Sequence, residues 1–150
     1  CGKAPTDSYK VNATYHAGYK SEGMLTIYGM NASQKAQKCA EIIKKRLMKL
    51  DLCPRDYYYE CLGTGATSCE LGQGNNSVEE CVLRICVADD DKSPLQAFAK
   101  ELAPLVTYGP PGVTGDASAR PKPISRFGYW PCLIPKDKVN VQVSLIEESS

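Results

Sequence analysis

The chain has 150 residues, with 18 Lys and Arg against 17 Asp and Glu, so its formal net charge is +1. A nearly neutral chain supplies no field that would attract a polyanion, and we expect no nucleic-acid partner. Hydrophobic residues make up 43% of the chain. No stretch approaches the roughly 18 consecutive apolar residues of a transmembrane helix, which predicts no membrane span.

The first elements in the chain are predicted to be two strands. Residues 8–17 and 24–30 are rich in Tyr, Val, Thr and Ile, as strands are. The glycines within residues 18–23 are typical of a turn, so the two strands are predicted to form a hairpin.

A helix is predicted next. Apolar residues recur every three or four positions between residues 32 and 50, with Asn31 or Ser33 as the cap. The opposite face is basic and is interpreted as a solvated surface rather than a nucleic-acid site. Pro54 ends the helix, because the residue before a proline is disfavoured in the helical region.

Two further strands, residues 55–62 and 79–88, flank a glycine-rich segment that is expected to be an exposed loop. A second helix is predicted over residues 95–105. Ser93 is its predicted cap and Pro94 its first helical residue, which explains the local sequence without a calcium site.

Residues 107–123 form a predicted loop rich in Gly and Pro, and loops this long in compact domains tend to bind something. Residues 124–134 predict a short edge strand that prolines interrupt, with Trp130 as a core plug beneath the loop. Residues 139–145 alternate and predict the final strand. The candidate interaction residues of the loop are Tyr108, Gly109, Pro110, Pro111, Gly112 and Arg120.

The order of these elements predicts the fold class. Without the first strand and the interrupted one, the chain follows the split β-α-β pattern of a ferredoxin-like antiparallel sheet with two helices on one face. We therefore expect one α+β domain over residues 1–150, with an extra N-terminal strand and with disulfides as a stabilising element.

An even and high number of cysteines favours an oxidising compartment. The spacing contains no C-x-x-C pair and His16 is the only histidine, so we expect no metal site. Cys39 has the alternative of being a buried thiol on a helix face. The predicted disulfide residues are Cys1, Cys39, Cys53, Cys61, Cys69, Cys81, Cys86 and Cys132.

Three N-glycosylation acceptor patterns agree with export. They begin at Asn12, Asn31 and Asn75. Because the first residue is Cys1 rather than Met, we expect either a removed signal peptide or a piece of a longer chain. An acylated cysteine of a bacterial lipoprotein is the alternative.

Four segments carry a family resemblance: residues 29–36 (GMNASQKA), 80–88 (ECVLRICVA), 108–112 (YGPPG) and 129–136 (YWPCLIPK). Together they resemble the acyclic terpene utilisation protein AtuA family. The similarity covers most of this chain and the carboxyl-terminal part of the family's main domain. It implies an α+β fold around a glycine- and proline-rich loop, and it transfers no catalytic residue.

The sequence itself contains no recognisable catalytic motif. Nucleophilic catalysis by Ser or Cys usually needs a base, and His16 lies on a predicted strand. None of G-x-S-x-G, H-E-x-x-H, G-x-G-x-x-G or the phosphate-binding G-x-x-x-x-G-K-[ST] occurs. We expect no cofactor.

These observations lead to a main function hypothesis and alternatives. The first is a secreted, extracellular, glycosylated and disulfide-rich structural or binding module without catalysis of its own. Its partners would be N-linked glycans and a second copy or fibre neighbour, joined through the loop or a sheet edge. The second is part of an AtuA-like enzyme that acts on an acyl or terpenoid ligand, which predicts a deep apolar pocket. A weaker third is a lectin-like protein that uses the tyrosines of residues 57–59.

Overall fold

The computed structural model of the chain describes residues 2–65, 78–115 and 120–144. The contacts of the chain fall into two compact units. We call residues Ala17–Arg126 the central unit, and Cys1–His16 with Phe127–Ser150 the terminal unit. The elements in chain order are β1 (Ser8–Tyr28), α1 (Ala32–Lys49), β2 (Asp56–Leu62), β3 (Glu80–Asp89), α2 (Ser93–Tyr108), β4 (Val113–Gly115), β5 (Ile124–Pro135) and a 3-10 turn (Lys136–Lys138).

The strands form an antiparallel sheet of five strands, accompanied by two helices, which confirms the predicted α+β class. The strand order is β2-β3-β1-β4, and β5 also pairs with β1. From β1 to β4 the elements alternate as strand, helix, strand, strand, helix, strand, which is the split β-α-β order.

The core of the central unit lies between the sheet and its two helices. Alternate residues of β3 are buried, as expected for a strand with one face covered. The helix stripes that the periodicity predicted are buried with them, except for Leu50, the C-cap residue of α1, which is 54% exposed. The largest fully buried side chains include Leu83, Ile85, Ile43, Leu47, Leu95 and Phe98.

The predicted hairpin at the start of the chain is wrong, because residues 8 to 28 form one continuous strand, β1. The predicted extra strand is therefore the first half of β1. Gly18 and Gly23 let other residues approach β1 closely, and they do not form a turn. A Cβ at Gly18 would lie 2.5 Å from the carbonyl oxygen of Asp89, and one at Gly23 would lie 2.4 Å from Leu102 Cδ1.

The second helix is longer than predicted and is capped differently. It runs from Ser93 to Tyr108, past Pro104. Ser93 is the first residue of the helix rather than its cap, and Lys92 is the N-cap, without a side-chain capping hydrogen bond. The Ser93 N–H donates to Asp91 Oδ1 at 3.2 Å, just before the helix. The predicted loop at 107–123 consequently begins later, and it contains β4.

The final predicted strand is also wrong over residues 139–144, where the structure has no strand. Its alternating valines are exposed, with Val143 at 88%, so they pack into no sheet. Trp130 is not a core plug, since 62% of it is exposed on β5. In the terminal unit the Tyr15 ring packs over Gly128, and the Lys136 N–H donates to the Asp7 carbonyl at 3.0 Å.

The predicted disulfide stabilisation is wrong for the six cysteines that the structure describes, all of which are free thiols. For the three cysteines on β2 and β3, the strand register gives the reason. Cys61 lies opposite Leu83, Cys81 opposite Ile27, and Cys86 between Glu22 and Tyr58. No ladder position of β1–β3 or β2–β3 brings two cysteines face to face, which a cross-strand bridge requires. Cys1 and Cys69 lie outside the described residues.

Candidate ligand-binding site

A cavity of about 660 Å³ lies in the central unit beside α2. We call it the α2 cavity. It begins where β4 ends, at Gly115, which pairs with Leu25 of β1. The preceding residues of β1, from Glu22 to Met24, line the cavity, as does one side of α2.

The walls of the α2 cavity are mainly apolar because of a second periodicity in α2. Four apolar residues of α2 are spaced by three, one and three positions, which places them on one side of the helix: Ala99, Leu102, Ala103 and Val106. Two of these four residues are alanines, whose small side chains leave room against β1. The apolar wall consists of Met24, Leu25, Ala99, Leu102, Ala103 and Val106.

Gly23 and Leu102 close the inner end of this wall. Leu102 is buried and lies over Gly23, where a Cβ would meet Leu102 Cδ1 at 2.4 Å and Phe98 Cζ at 3.2 Å. Ala103 and Val106 are exposed, so the cavity is open to solvent on the α2 side. A ligand therefore has an entrance.

Glu22 is the acidic residue among the described lining residues, and it shares the guanidinium of Arg84 with Glu60. Arg84 Nε and Nη2 donate to its two carboxylate oxygens at 2.8 and 3.1 Å, and Arg84 Nη1 donates to Glu60 at 2.9 Å. The hydrogen bonds from Arg84 lower the pKa of the Glu22 carboxyl below its usual value. Glu22 is therefore ionised at neutral pH and is a weak base.

Two other polar residues line the cavity. The Thr107 hydroxyl donates to the Pro104 carbonyl at 3.3 Å, within α2. Arg120 is exposed and has no hydrogen bond or ion pair with any residue that the structure describes. Its five N–H donors are thus available to a ligand.

The lining residues can bind but offer little for covalent chemistry. Those that the structure describes include no thiol, imidazole or amine. His16, the residue that a nucleophile would need as base, lies on β1 in the terminal unit, with its ring edge-on to Phe127. Within residues 2–65, 78–115 and 120–144, no group of three or more His, Cys, Asp or Glu is placed to hold a metal ion.

Three of the six predicted interaction residues form hydrogen bonds within the chain. Gly109 ends α2, and Pro111 accepts a hydrogen bond from Lys35 Nζ at 2.9 Å. The Gly112 carbonyl accepts from the Tyr28 N–H at 2.9 Å. Tyr108 is 92% exposed and Pro110 is half-buried. Of the six predicted residues, Arg120 alone lines the α2 cavity.

The predicted glycosylation positions differ in their surroundings. Asn12 is exposed on β1, and its Oδ1 accepts a hydrogen bond from the Tyr129 hydroxyl. Asn31 is exposed at the cap of α1, in the left-handed conformation with φ 58°. Asn75 lies outside the described residues. Attachment of sugar to these residues stays a prediction.

The comparisons with known proteins now bear on this geometry. The sequence model of the acyclic terpene utilisation family protein AtuA matches residues 1–145. The chain belongs to the AtuA family. This confirms the resemblance carried by residues 29–36, 80–88, 108–112 and 129–136. No curated protein and no solved structure matches the chain significantly.

The family match and the six free thiols overturn the combined description of the chain as a secreted, disulfide-rich structural glycoprotein. Its extracellular localisation and its self-assembly stay predictions. The family is named for terpene utilisation, and the six described cysteines are thiols. That combined prediction is wrong, and the alternative of an AtuA-like protein with an apolar pocket agrees better with the findings. Neither helix in the described part of the chain has the length and apolarity to cross a bilayer.

Proposed function

We propose that this AtuA-family domain binds an apolar acyl or isoprenoid chain in the α2 cavity. The observation that carries the proposal is the mainly apolar lining that β1 and α2 give to a cavity of about 660 Å³. Small-molecule sites typically enclose about 300 to 1,000 Å³ and are lined mainly by apolar side chains with a few polar groups. The cavity has both properties.

The family description supports the ligand class, because acyclic terpenes are branched chains of apolar carbon. Each methylene that enters such a wall contributes about 0.8 kcal/mol, or about a fourfold gain in affinity. A chain of ten carbons therefore has enough apolar surface to bind without a covalent link. The small Ala99 and Ala103 side chains leave space for methyl branches.

The proposal is tested by binding of neutral ligands. A fluorescent neutral probe, N-phenyl-1-naphthylamine, is titrated into the protein and then displaced by 3,7-dimethyloctan-1-ol or by shorter alcohols. We expect displacement to strengthen with each added carbon until the chain fills the cavity. Absence of saturable probe binding, or affinity independent of chain length, would contradict the proposal.

A filled-cavity variant locates the binding. Ala103→Leu adds bulk to the wall at an exposed position, so we expect the fold to remain intact and the alcohol to bind at least about tenfold more weakly. The matched control is Gln96→Leu, which adds the same apolar side chain at an exposed position of α2 outside the cavity lining. Equal loss in both variants would place the ligand elsewhere.

A further inference from the structure

We infer that the polar end of the ligand in the α2 cavity is a carboxylate, and that Arg120 binds it. This inference rests on the proposed function, since it specifies the head group of the same ligand. It starts from the charges of the lining. Glu22 and Arg120 are the two ionic residues of the lining that the structure describes, and only Glu22 has an ionic partner there.

Glu22 does not neutralise Arg120, because its carboxylate is already held at both oxygens by Arg84. Arg84 also compensates Glu60, whose second oxygen accepts from the Tyr58 hydroxyl at 3.2 Å. Glu22, Glu60 and Arg84 together carry a net charge of −1, but Arg84 occupies both oxygens of Glu22 and one oxygen of Glu60. Among the described lining residues, Arg120 is the cation that can bind an anionic group.

Arg120 has the donor geometry that a carboxylate needs. A guanidinium presents parallel N–H groups that bind both oxygens of one carboxylate, and such charged hydrogen bonds are stronger than neutral ones. No residue described in the structure occupies these donors. Thr107 cannot take the same role, because its hydroxyl proton is directed at the Pro104 carbonyl.

The position of Arg120 matches an amphiphilic ligand. Arg120 lines the same cavity as Leu102 and Val106, so a chain against these two side chains can carry its charged end to the guanidinium. Arg120 itself is exposed, so the preference rests on its paired charged hydrogen bonds to the carboxylate and not on burial of the ion pair. A neutral alcohol of the same length uses the wall but leaves Arg120 unpaired.

The experiment compares 3,7-dimethyloctanoate with 3,7-dimethyloctan-1-ol at neutral pH. We expect the wild-type protein to bind the carboxylate about 10- to 100-fold more tightly than the alcohol. Arg120→Gln should remove that preference and leave the affinity for the alcohol within about twofold. Arg120→Lys, which keeps the charge but loses the parallel donors, should retain part of the preference.

Lys122→Gln is the matched control, because Lys122 is an exposed cation two residues away and is not part of the lining. It should leave both affinities unchanged, and thermal unfolding verifies that each variant is folded. Equal binding of acid and alcohol, or a loss in Lys122→Gln as large as in Arg120→Gln, overturns the inference while the proposed function stands. If neither ligand displaces the neutral probe, the proposed function falls as well.

Discussion

Arg84 holds both carboxylate oxygens of Glu22, through Nε at 2.8 Å and Nη2 at 3.1 Å. The two residues lie on the adjacent strands β1 and β3. Glu22 pairs with Cys86, and Met24, two positions after Glu22, pairs with Arg84. This diagonal contact keeps Glu22 ionised at the edge of the α2 cavity. It also makes stability dependent on pH.

Glu22→Gln is expected to reduce the loss of unfolding free energy between neutral and acid pH. We call this loss the acid branch of the stability curve. Hydrogen bonds from Arg84 lower the folded-state pKa of Glu22 below the usual 4.5. The pair therefore contributes stability above the unfolded-state pKa, and that contribution is lost as the pH falls through the folded-state pKa. Urea unfolding at pH 7 and at pH 3 should show a smaller difference for the variant than for the wild type.

The control for this measurement is Glu41→Gln. Glu41 pairs with Lys38 on the surface of α1, where half of each side chain or more is exposed. Such pairs contribute little, so this variant should retain the wild-type acid branch. If the unfolding free energy of Glu22→Gln falls at acid pH as much as that of the wild type, the Arg84 contact does not contribute to the pH dependence of stability.

Gly112→Ala should destabilise the central unit by about 1–3 kcal/mol. Gly112 has φ +88°, and a Cβ there would lie 2.3 Å from the Tyr28 carbonyl oxygen. The change disturbs the contact in which the Gly112 carbonyl accepts from the Tyr28 N–H. Chemical unfolding followed by circular dichroism measures the loss.

Gly115→Ala provides the comparison for Gly112→Ala, three residues along the same segment. A Cβ at Gly115 meets Val106 Cγ2 at an ordinary 3.6 Å, and no left-handed φ is required there. Its stability should stay within about 0.5 kcal/mol of the wild type. Equal destabilisation by both substitutions would refute the strain at Gly112.

The sequence predicts the helices well because their signal is local. The apolar stripe of α1 repeats over five turns, and the predicted range 32–50 differs from the observed Ala32–Lys49 by one residue. The end of α2 is predicted three residues too early, at Leu105, because Gly109, Pro110 and Pro111 follow and predict a loop. The helix nevertheless continues for one more turn, to Tyr108.

The strand β1 and the α2 cavity depend on contacts that no local pattern encodes. A glycine in a turn and a glycine in a strand that another element approaches closely look alike in the local sequence. Gly18 and Gly23 are of the second kind. Gly23 is needed for close packing because Leu102, 79 positions further along the chain, lies against it. The spacing of Ala99, Ala103 and Val106 was a usable signal for the cavity, but it required knowing which side of α2 faces the edge of β1.

The six described thiols are expected to react at very different rates with a maleimide at pH 8. Cys53 is exposed, whereas Cys39, Cys61 and Cys81 are buried. Burial raises the pKa of Cys61 to about 11, which leaves about one thiol in a thousand ionised at that pH. Peptide mapping after short exposure should find label on Cys53 first and on Cys61 only after unfolding.

Cys53→Ser should remove the fast phase of this labelling and leave the slow phases unchanged. The same digest, run without reduction, tests the absence of cross-links among these six residues. A disulfide-linked peptide pair containing Cys39, Cys61 or Cys81 would contradict the free thiols of the core.

Gly23→Ala and Leu102→Ala should be strongly coupled. A methyl group at Gly23 would lie 2.4 Å from Leu102 Cδ1, so Gly23→Ala overpacks the core and should cost about 1–3 kcal/mol. Leu102→Ala alone leaves a void and should cost about 2–5 kcal/mol. In the double variant the new methyl group occupies part of that void, so the combined loss should be smaller than the sum by at least about 1 kcal/mol.

The comparison pair for this cycle is Gly23→Ala with Leu47→Ala. Leu47 is fully buried on α1 and is not among the atoms nearest to Gly23, so its cost should add to that of Gly23→Ala. Unfolding free energies from urea titrations of all variants complete both cycles. If the costs of Gly23→Ala and Leu102→Ala simply add, the two residues are not in contact. They would then not close the inner end of the α2 cavity together.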